Sequence, residues 1–165
     1  MNVLNKLALV ALILAPTAGA SELSSHCAKS ERTYFSCEVN GGKVLSLCGA
    51  PAKSGAITGR RYAFGASDRV ELAYPDRGAG LFLYSDYARY MTEYREVWFT
   101  ASGYKYIVFA RYVGDSNPGP KYGVEVAAPN GKGWQIPCTG TVVDRIAEFG
   151  RDLPCDSDSA LGCRK

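Results

Sequence analysis

The sequence predicts an all-β protein, an antiparallel β-sandwich or flattened barrel of about eight strands with one C-terminal helix. Three observations support this prediction. Short segments rich in aromatic and β-branched residues alternate with turns rich in glycine, asparagine, aspartate and serine. These turns recur at short intervals, as in sandwiches and barrels. Near the C terminus, one segment instead spaces its apolar residues at helical intervals, which predicts a single helix beside the sheet.

Residues 1–20 have the features of an export signal. Lys6 supplies the early positive charge, residues 7–15 form an apolar run, and Ala18-Gly19-Ala20 matches the small-x-small cleavage pattern. The apolar run is well short of the roughly 20 residues that cross a bilayer. We therefore predict cleavage after Ala20. The remaining residues 21–165 are expected to form a single disulfide-bonded domain, periplasmic or secreted, without a membrane anchor.

The charge of the predicted mature chain bears on its partners. Residues 21–165 carry a net charge of +2 and no long basic run. Binding to nucleic acid or to an anionic membrane normally uses a strong basic patch. Neither is therefore expected as the main partner. The sequence leaves the oligomeric state open, a homodimer included.

All six cysteines lie in the predicted mature chain: Cys27, Cys37, Cys48, Cys138, Cys155 and Cys163. An even number in an exported chain indicates three disulfides, in any of fifteen connectivities. The cysteines form no close CxxC pair, and no histidine follows them at zinc-ligand spacing. We predict three disulfides and neither a metal nor another cofactor.

Catalysis finds little support in the sequence. The sole histidine, His26, lies near the predicted N terminus of the mature chain, so a serine or cysteine nucleophile has no good base. Glu93, Glu96 and Asp115 sit among basic or turn residues, as carboxylates of solvated strands do. Neither a phosphate-binding glycine loop nor a G-x-S-x-G elbow occurs. We expect a protein that is not an enzyme.

The eight predicted strands form four hairpins. Their strands span residues 33–39 and 43–48, 60–65 and 69–75, 94–99 and 104–113, and 122–129 and 133–138. The first hairpin turns at Asn40-Gly41-Gly42, a strong hairpin signal. If Gly41 and Gly42 form the loop, Val39 faces Val44.

That register also bears on the disulfides. It puts Cys37 and Cys48 on one face of the hairpin, diagonal to each other and near the upper limit of disulfide reach. A Cys37–Cys48 bridge then requires a bulge. Cys27 and Cys138 remain alternative partners for either cysteine.

Two segments depart from the strand pattern. Residues 81–93 place tyrosines at helical spacing, continuing to the next strand: Tyr84, Tyr87, Tyr90 and Tyr94. Residues 141–153 space Val142, Ile146, Phe149 and Leu153 as an amphipathic helix does, with Thr139 or Thr141 as its cap. The chain then ends in a loop closed by Cys155 and Cys163, with Asp156 and Asp158 solvated.

The hairpin of residues 94–113 is the best candidate for a binding site. With Phe99 and Tyr104 as the last paired residues, residues 100–103 form a four-residue loop. This loop offers two hydroxyl groups, and Gly103 lets the backbone approach another surface closely. Strand alternation places Tyr104 and Lys105 on opposite faces, and neither face is cleanly polar, which predicts a strand inside the sheet.

Ser102-Gly103-Tyr104-Lys105-Tyr106 matches the pattern S-G-x-x-Y, which, on an exported disulfide-bonded β-domain of this size, resembles the bacterial periplasmic lysozyme inhibitors. The segment FSCEVNGGKVLSLC, residues 35–48, looks closer to the inhibitors of invertebrate-type lysozymes than to those of C-type lysozymes. The resemblance covers residues 27–138 in layout. It implies a protein that binds lysozyme as its partner, with the loop of Ser102, Gly103, Tyr104, Lys105 and Tyr106 occupying the enzyme cleft.

Three other interpretations are kept. The Ser-Gly pair is also common in ordinary turns between core strands. A module that binds glycan or a structural protein would use the tyrosine-rich surface of Tyr84, Tyr87, Tyr90 and Tyr94, since aromatic faces stack on sugar rings. A hydrolase would need two carboxylates in an apolar cleft. A lysozyme inhibitor is the function we predict.

Overall fold

The computed structural model describes residues 24–114, 119–157 and 159–163. The predicted signal peptide, Asp115 and Asp158 lie outside these residues. Nine antiparallel strands form one sheet: β1 (Arg32–Val39), β2 (Lys43–Pro51), β3 (Ile57–Ala66), β4 (Arg69–Tyr74), β5 (Leu83–Arg89), β6 (Thr92–Ala101), β7 (Tyr104–Val113), β8 (Pro120–Ala127) and β9 (Gly133–Asp144). One short helix, α1 (Ile146–Gly150), follows. The predicted all-β class and the single C-terminal helix are confirmed, with nine strands rather than eight.

The spatial order of the strands is β4-β3-β2-β1-β9-β8-β7-β6-β5. Because β4 and β5 are the two edges, the sheet is not a closed barrel. Strand β9 joins its two halves, since residues 133–137 pair with β8 and residues 138–144 pair with β1.

The sheet folds over so that its two halves face each other across an aromatic core. The ring of Tyr62 on β3 lies 4.9 Å from that of Phe99 on β6, and Tyr74 on β4 stacks on Phe99 at 4.3 Å. Phe82 and Phe149 fill the adjacent space with their rings 5.6 Å apart. We call the face of each strand that points into this core the inner face, and the opposite face the outer face.

The first hairpin has a different register from the predicted one. Asn40, Gly41 and Gly42 all lie in the loop, so Val39 pairs with Lys43 and not with Val44. A one-residue shift moves side chains to the other face of a strand. Cys37 therefore pairs with Leu45 in the core, away from Cys48. Of the pairings left open by the sequence, Cys37–Cys48 does not form, and Cys27 and Cys138 are the partners of Cys48 and Cys37.

The three disulfides are Cys27–Cys48, Cys37–Cys138 and Cys155–Cys163. The predicted number of three disulfides is thus confirmed. Disulfides indicate an oxidising environment outside the cytoplasm. His26 is held beside the first of them, because its backbone N–H donates to Ser46 Oγ at 3.1 Å. The N-terminal segment is therefore docked on the sheet at this point. Within the described residues, the helical structure is too short to span a membrane.

The segment with spaced tyrosines is a hairpin and not a helix. Strand β5 runs through Tyr84 and Tyr87, Tyr90 lies in the turn, and Tyr94 is on β6. The free edge of β5 is covered by the C-terminal segment, which forms parallel bridges from Cys155 to Tyr84 and from Cys163 to Asp86.

The predicted helix of residues 141–153 is much shorter than expected. Strand β9 continues to Asp144, and α1 contains only five residues. Neither Thr139 nor Thr141 caps it. Asp144 Oδ1 accepts the backbone N–H of Ile146 at 3.2 Å. The predicted apolar residues still face the core, because Ile146 and Phe149 are both fully buried.

Candidate functional site

The turn between β6 and β7 contains only Ser102 and Gly103. Ala101 pairs with Tyr104 and Thr100 with Lys105, so the loop has two residues and not the four predicted. Ser102 and Gly103 both have positive φ, 51° and 79°. These are the φ signs of a type I′ turn, whose twist matches that of the flanking strands. We call Ser102 and Gly103 the hairpin tip.

Ser102 is an unusual residue for its position. A left-handed backbone conformation is disfavoured for residues with a Cβ, and type I′ turns prefer asparagine or glycine here. The Ser102 side chain is exposed and forms no hydrogen bond with any other described residue. Its hydroxyl group is thus available to a partner.

The strands below the tip are anchored in the aromatic core. Phe99 on β6 and Tyr106 on β7 face each other with parallel rings 5.0 Å apart, and Tyr62 of the opposite half lies 6.0 Å from Tyr106. Burial raises the pKa of both the Tyr62 and the Tyr106 hydroxyl groups. Tyr106, predicted to contact a partner, lies on the inner face and supports the tip from below.

Lys105 lies on the outer face, opposite to Tyr104, as alternation predicted. Its Nζ is 3.8 Å from the centroid of the Trp98 ring and 3.9 Å from Asp156 Oδ2. Asp156 is 5% exposed, so the prediction that it is solvated is wrong. Lys105 is therefore held to the C-terminal segment and does not point along the tip.

The five predicted site residues thus divide into two groups. Ser102 and Gly103 are exposed and Tyr104 is 38% exposed, so these three neighbouring residues are accessible to solvent. Lys105 and Tyr106 make intramolecular contacts on opposite faces of β7.

A second turn lies beside the hairpin tip. The sequence did not indicate that these two turns are neighbours. A Cβ atom placed on Gly103 would lie 3.6 Å from Pro129 Cγ, at the start of the β8–β9 turn. Trp134, just after this turn, is 46% exposed. The pairing of β7 with β8 brings the two turns together. The sequence shows that a tryptophan follows the second turn, but not that its side chain is exposed.

The four tyrosines of the alternative site do not share one surface. Tyr84 packs on Gly150, where an added Cβ would come within 2.3 Å of its ring. Tyr87 and Tyr94 are cross-strand partners on the outer face with their rings 6.2 Å apart. Tyr90 lies in the turn between β5 and β6, with 90% of its surface exposed.

Two of the three carboxylates considered for catalysis, Glu93 and Glu96, form ion pairs. Glu96 is buried rather than solvated, and its Oε1 accepts a hydrogen bond from Arg111 Nε at 2.7 Å. Arg111 also donates to both carboxylate oxygens of Glu125, at 2.7 and 3.0 Å. Glu93 pairs with Arg95 at 3.4 Å. These contacts give Glu93 and Glu96 structural roles.

Comparisons of the chain with protein-family models, with curated proteins and with solved structures give no match.

Proposed function

We propose that this protein is a periplasmic or secreted inhibitor of lysozyme that inserts its hairpin tip into the active-site cleft. One observation carries the proposal: Ser102 and Gly103 are exposed, and the hydroxyl of Ser102 has no partner among the described residues. The tip stands on a hairpin whose strands pack into the aromatic core. A binding loop that is rigid before association loses little conformational entropy when it binds.

The chemistry of the tip suits a cleft that binds carbohydrate. A retaining glycosidase holds two carboxyl groups roughly 5 Å apart in such a cleft. The Ser102 hydroxyl can donate a hydrogen bond to a carboxylate where a substrate hydroxyl would otherwise bind. Hydrogen bonds to charged groups are worth about 1.5–3 kcal/mol.

Tyr104 supplies the apolar contact of the proposed interface. Tyrosine buries a large area for a small loss of rotamer entropy, which makes it a common anchor at interfaces. Lys105 is assigned a different role from the one first expected. Its contacts with Trp98 and Asp156 fix the strand next to the tip, and the tip itself makes the contact with the enzyme.

The test is lysis of bacterial cell walls by C-type, G-type and invertebrate-type lysozymes, with and without purified protein. We expect the wild-type protein to slow at least one class. Replacing Ser102 by tryptophan should abolish the effect because the tip no longer fits a narrow cleft. Tyr90→Trp, at the exposed turn between β5 and β6, is the matched control and should remain inhibitory. If micromolar wild-type protein slows none of the three classes, the proposal is wrong.

A second candidate function is the binding of glycan or a structural envelope protein. It is favoured by the Tyr87–Tyr94 stack on the outer face and by the exposed Tyr90. Tyr84 is excluded from this surface by its packing on Gly150. Loss of cell-wall binding on changing Tyr87 and Tyr94, with no loss on changing Ser102, would favour this function over lysozyme inhibition.

A further inference from the structure

We infer that the outer face carries a second binding site, a groove for a neutral oligosaccharide that is separate from the hairpin tip. The groove begins where β9 leaves β8 and ends at Tyr94 on β6, and we call it the fork groove. The inference does not depend on lysozyme inhibition. It extends the second candidate function, because it assigns a defined groove and a ligand class beyond the Tyr87–Tyr94 surface.

The fork arises because β9 changes its partner strand. The pairing of β8 with β9 ends at Gly123 and Pro137, and from Cys138 onward β9 pairs with β1. Among the described residues, the facing edges of 120–122 and 138–142 are therefore not paired with each other. A cavity of about 420 Å³ lies between these two edges. Backbone N–H and C=O groups on unpaired strand edges can form hydrogen bonds with a ligand.

A second cavity, of about 280 Å³, adjoins the first on the outer face and reaches Tyr94. The two cavities share three lining residues, Phe109, Lys121 and Gln135. Phe109 forms the floor, because a Cβ on Gly123 would lie 3.0 Å from its Cζ and only glycine lets the ring lie so close to β8. From β9 to β6 the groove crosses four strands, a width of about 14 Å, which accommodates more than one sugar ring.

The charges around the groove balance. Arg111 Nε donates to Glu96 Oε1 at 2.7 Å, and the rest of its guanidinium group binds both carboxylate oxygens of Glu125. Lys121 is exposed and forms no ion pair with another described residue. The two cations and two carboxylates therefore sum to zero. A charged ligand would bring an uncompensated charge into the groove, which is costly, whereas a neutral ligand would not.

The polar groups of the groove suit sugar hydroxyl groups. Gln135 Nε2 donates to Glu125 Oε1 at 3.2 Å, which holds the amide in place, while Gln135 Oε1 has no partner among the described residues. A hydroxyl group both donates and accepts hydrogen bonds, so it can bind this amide oxygen and the Lys121 ammonium group together. The half-buried rings of Tyr94 and Tyr122 line the two cavities and offer apolar surface to the faces of the sugar rings.

The fork is poorly suited to the other chain-like ligand, an extended peptide. A peptide that adds to a sheet edge needs a row of backbone donors and acceptors. Pro120 and Pro137 lie on the two sides of the fork and have no N–H to donate. Lys121 lies next to Pro120, and lysine on a strand edge is a common device against the pairing of another strand. These residues favour a glycan as the occupant.

The experiment is titration calorimetry of the purified protein with four neutral tetrasaccharides, built from glucose, N-acetylglucosamine, mannose or galactose units. We expect at least one to bind, with a dissociation constant that does not change with added salt, because salt screens only charged interactions. Gln135→Ala should weaken this binding about three- to tenfold, as loss of a neutral hydrogen bond does. Tyr94→Ala should weaken it about tenfold through loss of the aromatic contact. Tyr90→Ala, an exposed tyrosine outside the groove, is the control and should stay within about twofold of wild type.

The outcomes separate this inference from lysozyme inhibition. If Ser102→Trp abolishes inhibition but keeps glycan binding, and Gln135→Ala does the reverse, the two sites are distinct as inferred. If no tetrasaccharide binds at millimolar concentration, the fork groove is wrong, whether or not a lysozyme is slowed. If Ser102→Trp abolishes glycan binding, the sugar binds at the hairpin tip and the inference is also wrong. If only an acidic oligogalacturonide binds, and more weakly with added salt, the inferred ligand class is wrong. Gln135 is exposed, so its variant tests the groove even if Tyr94→Ala fails to fold.

Discussion

Ser102 combines a strained backbone with an exposed hydroxyl group. A left-handed conformation costs a residue with a Cβ roughly 1–2 kcal/mol. Asparagine tolerates this conformation better, and Asn-Gly is the preferred type I′ pair. Serine at this position therefore makes the turn less stable than asparagine would. Such a departure fits a residue whose side chain serves the proposed interface.

Ser102→Asn is accordingly expected to make the protein more stable and a weaker inhibitor. The free energy of unfolding in urea should rise by about 0.5–1 kcal/mol, because the backbone strain is relieved. Inhibition should weaken about tenfold, because a larger amide replaces the hydroxyl group that is proposed to donate to the carboxylate. Met91, with a φ of 56° in the β5–β6 turn, offers a matched control. Met91→Asn should leave inhibition unchanged, and equal inhibition by Ser102→Asn and wild type would contradict the role of Ser102.

Glu125 gives the molecule a predictable response to acid. The two hydrogen bonds from Arg111 hold the pKa of the Glu125 carboxyl below its usual value. A carboxyl group with a lowered folded pKa stabilises the fold above the unfolded pKa, about 4.3 for glutamate. This contribution disappears as the pH falls through the folded pKa.

Glu125→Gln should therefore be less stable than wild type at pH 7, and the difference should shrink as the pH falls from about 5 to 3. Denaturant unfolding of both proteins at pH 7, 5 and 3 measures it. Asp68→Asn, in the exposed β3–β4 turn, is the control for loss of one negative charge. A difference between Glu125→Gln and wild type that stays constant with pH would show that the Arg111 contacts do not act through ionisation.

The helix α1 approaches β5 closely at Gly150. A Cβ on Gly150 would lie 2.3–2.6 Å from three atoms of the Tyr84 ring. Replacing a helical glycine by alanine usually stabilises a helix by about 1 kcal/mol. Here Gly150→Ala should instead destabilise the protein by about 1–3 kcal/mol, because the helix must move away from β5. Thermal unfolding measures this, and Tyr84→Leu should recover part of the loss. A rise in melting temperature for Gly150→Ala alone would contradict the contact.

The hairpins show which features of this fold can be predicted from the sequence. Turn chemistry is local, so Asn40-Gly41-Gly42 and Ser102-Gly103 marked two hairpins correctly. Loop length is not determined by these residues alone, so the first hairpin was predicted one residue out of register, with Cys37 and Cys48 on the same face. The alternation that separated Tyr104 from Lys105 was confirmed, because it depends only on the strand period.

The excess length of the predicted C-terminal helix and the helical spacing of the tyrosines share one physical cause. Val142 and Ile146 belong to different elements, β9 and α1, and both face the core. Their spacing of four residues therefore imitates one continuous amphipathic helix. Tyr87 and Tyr94 likewise owe their spacing to two strands and a turn. The proximity of distant parts of the chain, such as Pro129 near Gly103, depends on the order of strands in the sheet, which no local pattern contains.

Strand β9 determines how the two halves of the sheet are joined. It changes partner from β8 to β1 between Pro137 and Cys138, and the Cys37–Cys138 disulfide lies at this junction. The bridge closes a loop with a sequence separation of 101, whereas Cys155–Cys163 closes one of 8. A disulfide stabilises a fold more when it restricts a longer loop of the unfolded chain.

Removing the two bridges should accordingly have unequal effects. The double variant Cys37→Ala with Cys138→Ala should lose about 4.7 kcal/mol of unfolding free energy, because a loop of roughly 100 residues is released. Cys155→Ala with Cys163→Ala should lose about 2.6 kcal/mol by the same relation and serves as the matched control. Urea unfolding of both variants without reductant gives the two values. Since Cys37 is 1% exposed, the junction also loses packing, which adds to the first value. An equal or larger loss in the C-terminal variant would show that the tail on β5, and not the β1–β9 junction, holds the sheet together.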